Sequence, residues 1–125
     1  MVLTLKVIRY QNASPQQAMS FTIGESGCSI GRSDGNDFVL PDPDRWVSSR
    51  HANIRFRDGR FCLIDQSSNG TYLNGRTERL PPGHEIPLND GDELTIGSYE
   101  IQVSVAQGRE SGTPAIDPFG SPAPP

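Results

Sequence analysis

Ala52-Asn53-Ile54-Arg55-Phe56-Arg57-Asp58-Gly59-Arg60-Phe61-Cys62-Leu63-Ile64 holds two strands and the turn between them. In its first half Ala52, Ile54 and Phe56 alternate with Asn53, Arg55 and Arg57. That period of two gives a strand one apolar and one polar face. Its second half, Phe61-Cys62-Leu63-Ile64, is apolar on both faces and predicts a central strand. Only Asp58-Gly59 separates the halves, and such a pair predicts a primed hairpin turn with positive φ.

The same period recurs on either side. Leu3, Leu5 and Val7 alternate with Thr4 and Lys6, and Phe21 and Ile23 flank Thr22. Leu94 and Ile96 precede Ile101, Val103 and Val105, which alternate with Gln102 and Ser104. Asp90-Gly91 and Gly97-Ser98 read as further hairpin turns of the same kind. Asn69-Gly70 and Asn74-Gly75 bracket the short run Thr71-Tyr72-Leu73. No segment carries a helical period. About ten short strands with turns every eight to twelve residues predict an all-β fold, an antiparallel β-sandwich. A small closed barrel is the alternative.

The length, 125 residues, suits one domain with one modest core. Gly and Pro concentrate after Ala106, where no period survives. Residues 1–106 therefore read as the folded domain, and residues 107–125 as a disordered Pro/Gly/Ser-rich linker. Eleven basic residues against fifteen acidic ones give a net charge of −4, the wrong balance for a general nucleic-acid binder. All the basic residues but Lys6 are Arg, which suits planar, bidentate recognition of oxyanions. Cys28 and Cys62 sit in strand-like runs and read as buried free thiols. Met1 to Tyr10 alternates instead of forming the apolar block of a signal peptide, and no apolar stretch is long enough to span a bilayer.

Catalytic and metal chemistry are poorly supplied. The two histidines, His51 and His84, and the two cysteines lie far apart and do not have the spacing of a zinc site. The single lysine, Lys6, leaves no nucleotide-binding loop ending in Lys-Ser or Lys-Thr. Ser48, His51 and Asp65 are the only candidates for a hydrolytic triad, and three-residue spacing on a turn does not guarantee contact. The expectation is therefore no enzyme, no metal and no cofactor.

Anion binding is better supplied. Gly31-Arg32 follows the short strand Cys28-Ser29-Ile30 and opens a long loop. Ser48-Ser49-Arg50-His51 closes that loop. Ser67-Ser68-Asn69-Gly70-Thr71 forms a second irregular loop. Guanidinium, hydroxyls, an amide and Gly-rich backbone N–H groups together are what a phosphate dianion needs. Each element also has an ordinary reading: Arg32 could pair with Asp34 or Asp37, Ser48 and Ser68 could be turn hydroxyls, and His51 reads as a satisfied structural histidine.

Taken in order, Gly31-Arg32, Ser48-Ser49-Arg50-His51, Asn69-Gly70 and Asn74-Gly75 resemble the forkhead-associated (FHA) domain, over about Leu3 to Val105. The resemblance implies a sandwich of about eleven strands that binds phosphothreonine peptides through loops at one end. It implies that Arg32 grips the phosphate, that the Ser48 hydroxyl binds a phosphate oxygen, and that Ser49 assists. Arg50 would reach the phosphate or flanking acids, Ser68 would bond near the phosphate, and Asn69 would fix the peptide backbone. Gly31, His51, Gly70 and Asn74 would support the site structurally. Trp46 falls where members select a side chain after the phosphothreonine. It stands where some members carry a basic residue, so no acidic residue three positions downstream is implied.

Asn36-Asp37-Phe38-Val39-Leu40-Pro41-Asp42-Pro43 and Asp117-Pro118-Phe119 further resemble the FHA proteins of bacterial type VI secretion systems. The function implied is a phosphothreonine-dependent recruitment module whose partner is a phosphorylated Ser/Thr kinase or its substrate. The location implied is the bacterial cytoplasm, reaching the inner-membrane face only through that partner. No nucleic-acid partner and no direct membrane insertion are expected, and the sequence leaves the oligomeric state open. Phospho-independent docking through the sheet faces is the alternative, which an exposed apolar patch remote from Arg32 would favour.

Overall fold

The hairpin forms as its residues dictate. A computed structural model describes residues 1–11 and 19–106. In it Ala52–Arg57 and Arg60–Asp65 pair antiparallel around Asp58 and Gly59. Both turn residues have positive φ, 54° and 79°. Two consecutive positive φ values mark the turn whose twist matches that of the strands. A Cβ at Gly59 would meet nothing within 4 Å, so the glycine is required by φ and not by space. Gly59→Ala is therefore expected to cost about 1 kcal/mol, the penalty of a Cβ in left-handed backbone. Thermal unfolding should show a midpoint lower by roughly 4–8 °C. An unchanged midpoint would mean that the turn relaxes at no cost.

Ten strands are present among the described residues: β1 Val2–Tyr10, β2 Ser20–Ile23, β3 Cys28–Gly31, β4 Phe38–Val39, β5 Ala52–Arg57, β6 Arg60–Asp65, β7 Thr71–Leu73, β8 Ile86–Pro87, β9 Glu93–Ile96 and β10 Tyr99–Ala106. They make two five-stranded sheets, ordered β2-β1-β10-β9-β7 and β4-β3-β5-β6-β8. The sandwich is as expected, with the strand count of the periodicity reading and not the eleven of the family. One pair, β3 with β4, is parallel. The antiparallel expectation missed it because the connection from Arg32 to Asp37 loops back to start β4 beside Ile30 instead of turning as a hairpin. Asp90-Gly91 also departs from expectation. It joins β8 to β9, which lie in different sheets, so it is not a hairpin turn. Gly97-Ser98 does link the paired β9 and β10, with positive φ (58°) only at Gly97. The linker expected at residues 107–125 lies outside the described residues.

The inward positions of both sheets make the core. Leu3, Leu5, Leu94, Ile96, Ile101 and Val103 face Ile30, Ile54, Phe61 and Leu63, all buried. Each such side chain contributes about 1.5–3 kcal/mol by leaving water. Phe21 stacks on Phe38, ring centroids 5.6 Å apart, where β2 and β4 edge the two sheets. β6 lies between β5 and β8, the interior place in the sheet that its apolar run predicts, but only one of its faces meets the core: Phe61 and Leu63 point there, while Ile64 on the opposite face is half-buried. Cys28 and Cys62 are buried free thiols, as expected. Burial, then the nearby Asp37 charge, pushes the Cys28 thiol up to about 12, so it stays protonated.

Strand register decides where function can lie. Ile30 pairs with Ala52, and Ala52 with Asp65. In the other sheet Thr71 and Tyr99 both pair with Ile96. These pairings bring the ends of β3, β5, β6, β7, β9 and β10 to one end of the sandwich. The two irregular loops therefore emerge side by side.

Candidate functional site

The loop from Gly31 to His51 is folded back on its own start. Arg32 N–H donates to the Ser48 carbonyl (3.0 Å) and Ser33 N–H to the Ser49 carbonyl (3.2 Å). The return is so close that a Cβ at Gly31 would lie 2.2 Å from the Ser49 carbonyl oxygen. Glycine is the only residue that admits this approach. Asn36, buried, braces the same crossing by donating to the Ser49 (2.6 Å) and Ser33 (2.9 Å) carbonyls.

The Arg32 side chain is fixed in place. Its Nε donates to the Val47 carbonyl (3.1 Å) and its Nη2 to Ser49 Oγ (3.0 Å). It pairs with neither Asp34 nor Asp37; the Asp37 carboxylate is taken by Ser29 N–H (2.9 Å). Two of the five guanidinium N–H donors are thus used for positioning. Ser49 enters the site as the residue that orients the cation.

His51 joins the two loops and is fully buried. Its Nδ1 accepts from Ser48 N–H (3.0 Å), and its Nε2 lies 3.1 Å from the Gly70 carbonyl. Since Nδ1 accepts, the ring proton sits on Nε2 and is donated to Gly70. Burial lowers the His51 pKa, against the opposing pull of the Gly70 bond and Asp65, so the ring is held neutral. This is the structural histidine that the sequence suggests. It also removes the triad geometry: both ring nitrogens are occupied by backbone, and Asp65 bonds to Ser67, Thr71 and Arg79 instead.

The second loop locks onto the first. Ser68 N–H donates to Ser48 Oγ (3.0 Å), and Asn69 Nδ2 donates to the Trp46 carbonyl (3.0 Å). Because Ser48 Oγ accepts, its own O–H remains available to a ligand. Gly70, at φ 98°, makes the turn back into β7. Arg32, Ser48, Ser49, Ser68 and Asn69 are therefore brought together. Arg50 is not: it is exposed and makes no hydrogen bond to a described residue. Asn74 lies one strand away and ties β7 to β9, accepting from Glu93 N–H (2.9 Å) and donating to Asp92 (3.1 Å).

Trp46 is 56% exposed, the one large apolar side chain so exposed among the described residues. Asp42, buried, holds the loop that carries it by accepting from Val47 N–H (2.9 Å) and Asp44 N–H (3.3 Å). The Tyr99 hydroxyl donates to the Pro41 carbonyl just ahead of it. Trp46, Asn69, Tyr72, Thr95 and Gly97 line a groove of about 280 Å³ between the loops and the end of the β7–β9–β10 sheet.

Sequence reasoning missed Asn36, Asp42 and Arg79. Asn36 and Asp42 lie in the string that resembles type VI secretion proteins, and that string proves structural. Asp37 caps the backbone of Ser29, Phe38-Val39 is β4, Leu40 is core, and Asn36 and Asp42 shape the loop. The Asp-Pro pair that opens the Asp42–Arg45 turn was a signal available at Asp42. Arg79 gave none, being remote in sequence from everything it touches.

Comparisons with known proteins agree with this geometry. The family model described as FHA domain matches residues 28–97. The oxoglutarate dehydrogenase inhibitor of Corynebacterium diphtheriae is 36% identical over 88 residues, which cover 70% of this chain and 57% of that one. The glycogen accumulation regulator GarA of Mycolicibacterium smegmatis is 34% identical over 88 residues, 70% of this chain and 51% of its own. The chain thus spans about half the length of these relatives. Among solved structures, the FhaA FHA domain complexed with the intracellular domain of Rv3910 superposes with a TM-score of 0.63 at 32% identity, covering 81% of this chain and 98% of that one. An FHA domain studied for phosphothreonine-dependent interactions gives 0.66 at 30% identity, covering 86% and 99%.

Proposed function

The chain belongs to the FHA domain family, and from that premise we propose that it is a phosphothreonine-dependent binding module, recruiting a phosphorylated Ser/Thr kinase or a kinase substrate in a bacterial cytoplasm. The observation that carries the reading is the convergence of an oriented, carboxylate-free Arg32 with Ser48, Ser68 and Asn69 across two interlocked loops. Unused guanidinium donors and the Ser48 and Ser68 hydroxyls would hold the phosphate. Asn69, already bonded to the Trp46 carbonyl, would take the peptide backbone. The Trp46 groove would take an apolar side chain beyond the phosphothreonine. Arg50 would act only on flanking acids, since nothing holds it toward Arg32.

The relatives named above support a regulatory role of this kind. They lend nothing to a role in type VI secretion, and the Asn36–Pro43 string is explained by the fold. That narrower role would rest on Asp117–Phe119, outside the described residues. Docking through a sheet face would need an apolar patch, and the exposed Trp46 sits beside Asn69 instead. Among the described residues no helix is long and apolar enough to cross a membrane.

The phosphate bonds must offset the costs of association and peptide ordering, and a net of about −6 to −8 kcal/mol is expected of a transient reader. That corresponds to micromolar affinity or a little weaker. Calorimetric titration of the protein with phosphothreonine, phosphoserine and unmodified threonine peptide pools tests the reading. Heat from the phosphothreonine pool alone is expected. Affinity should drop roughly tenfold between pH 7.5 and 5, as the phosphate dianion takes up a proton near pH 6. Silence from all three pools, with the protein folded, would remove the reading.

A further inference from the structure

The loop that supplies Ser68 and Asn69 is held from beneath by one ion pair. Asp65, at the end of β6 and buried, takes Ser67 Oγ (2.7 Å) and Thr71 Oγ1 (2.8 Å) on its Oδ1. It thereby pins both ends of the 66–70 loop. Its Oδ2 accepts from Arg79 Nη2 (2.6 Å). The same Arg79 reaches the loop's middle: Nη2 also donates to the Ser67 carbonyl (3.0 Å) and Nη1 to the Ser68 carbonyl (3.3 Å). Arg79 is itself stitched to the scaffold, since the next residue, Leu80, donates its N–H to the Thr71 carbonyl (2.8 Å). Gly70 completes the fit. A Cβ there would lie 2.9 Å from Arg79 Cβ, so the loop lies directly on the arginine stem.

We propose that Arg79 is a positioning residue for the phosphate site: its guanidinium fork sets the height of the Ser67-Ser68 peptide, and through it the Ser68 N–H bond to Ser48 and the reach of Asn69. This rests on the phosphothreonine reading above. Arg79 does not touch the ligand. It fixes the carbonyl of the residue whose N–H orients the Ser48 hydroxyl. Two carbonyls and one carboxylate lie in reach of a single planar group. Arginine can serve all three at once, whereas a lysine ammonium on a flexible stem keeps the charge beside Asp65 and loses the fork.

The test compares the wild-type protein with Arg79→Lys and Arg79→Met. Two quantities are read: backbone amide exchange at Ser68, against core amides such as Leu63, and calorimetric affinity for the phosphothreonine pool. In Arg79→Lys the unfolding midpoint should stay near wild type. Ser68 exchange should quicken by about tenfold with Leu63 unmoved, and peptide affinity should fall by about tenfold. Arg79→Met should show both effects more strongly. Full affinity in Arg79→Lys with a loss only in Arg79→Met would reduce the role to charge and overturn the proposal. So would unchanged Ser68 exchange in both variants. If the wild-type protein binds no phosphopeptide, the phosphothreonine reading fails by itself. Ser68 exchange still decides whether Arg79 sets the loop.

Discussion

Arg32→Ala is expected to weaken phosphothreonine-peptide binding by at least about 100-fold while the domain stays folded. The guanidinium donates to the Val47 carbonyl and Ser49 Oγ at the mouth of the loop, and the side chain is only half-buried. Water can replace those two bonds when the side chain is cut back, so the stability cost should stay near or below about 1 kcal/mol. The binding cost is different in kind. A phosphate dianion left without its paired cation loses two charge-assisted bonds, each worth roughly 1.5–3 kcal/mol. Arg79 is committed to Asp65, and Arg50 has no described hydrogen bond that orients it as Val47 and Ser49 orient Arg32. Arg32→Lys separates charge from geometry, because it keeps the cation and loses the fork. It should recover only part of the affinity. Calorimetry on the three proteins decides: an alanine variant within about threefold of wild type would show that Arg32 merely braces the loop.

Arg32 also shows how far the sequence could be read. Its place after a short strand, at the head of a long loop, was legible from alternation and from the Gly beside it. So was the sandwich, since period-two runs and Asp58-Gly59 are local signals that pairing reinforces. What stayed hidden was long-range. The parallel β3–β4 pair depends on how a six-residue loop returns, which no local propensity specifies. Asp90-Gly91 has hairpin chemistry, yet the strands on either side go to opposite sheets, a choice made by tertiary packing. Within the site, the residues that would face a ligand carried recognisable types at recognisable spacing. The residues that hold them did not. Asn36 and Asp42 act on loop carbonyls and amides, and Arg79 acts on a loop eleven positions from it. Arg50 is a different case: motif membership places it near the phosphate or flanking acids, and its exposed side chain has no hydrogen bond to a described residue that fixes it at either.

The second large effect should come from His51, through stability before binding. His51→Ala removes a fully buried ring and strands two backbone groups, the Ser48 N–H and the Gly70 carbonyl. Each unsatisfied buried group costs about 1–3 kcal/mol, and the emptied volume adds to that. A total loss of about 3–5 kcal/mol is expected from denaturant unfolding. The same contacts fix a pH dependence. Burial lowers the folded His51 pKa below its ordinary value of 6.5. The unfolded chain therefore takes up a proton near pH 6.5 that the folded ring refuses. His51's contribution to stability is complete above pH 6.5 and shrinks as pH falls toward the folded value. There a proton forced onto Nδ1 would face the Ser48 N–H, donor against donor. Asp65 does not share this window. Burial alone would raise its pKa, but the bonds from Ser67, Arg79 and Thr71 hold it below the usual 3.8, so its contribution is lost only in stronger acid. The stability gap between wild type and His51→Ala should consequently narrow from pH 7.5 to pH 5. A gap that stays constant would mean that His51 is not held as a neutral ring. The narrowing comes from the proton that the unfolded chain takes up, not from the folded site. While the folded ring stays neutral the Ser48 loop is intact, and peptide affinity in the wild type should follow the phosphate's own titration, about tenfold between pH 7.5 and 5.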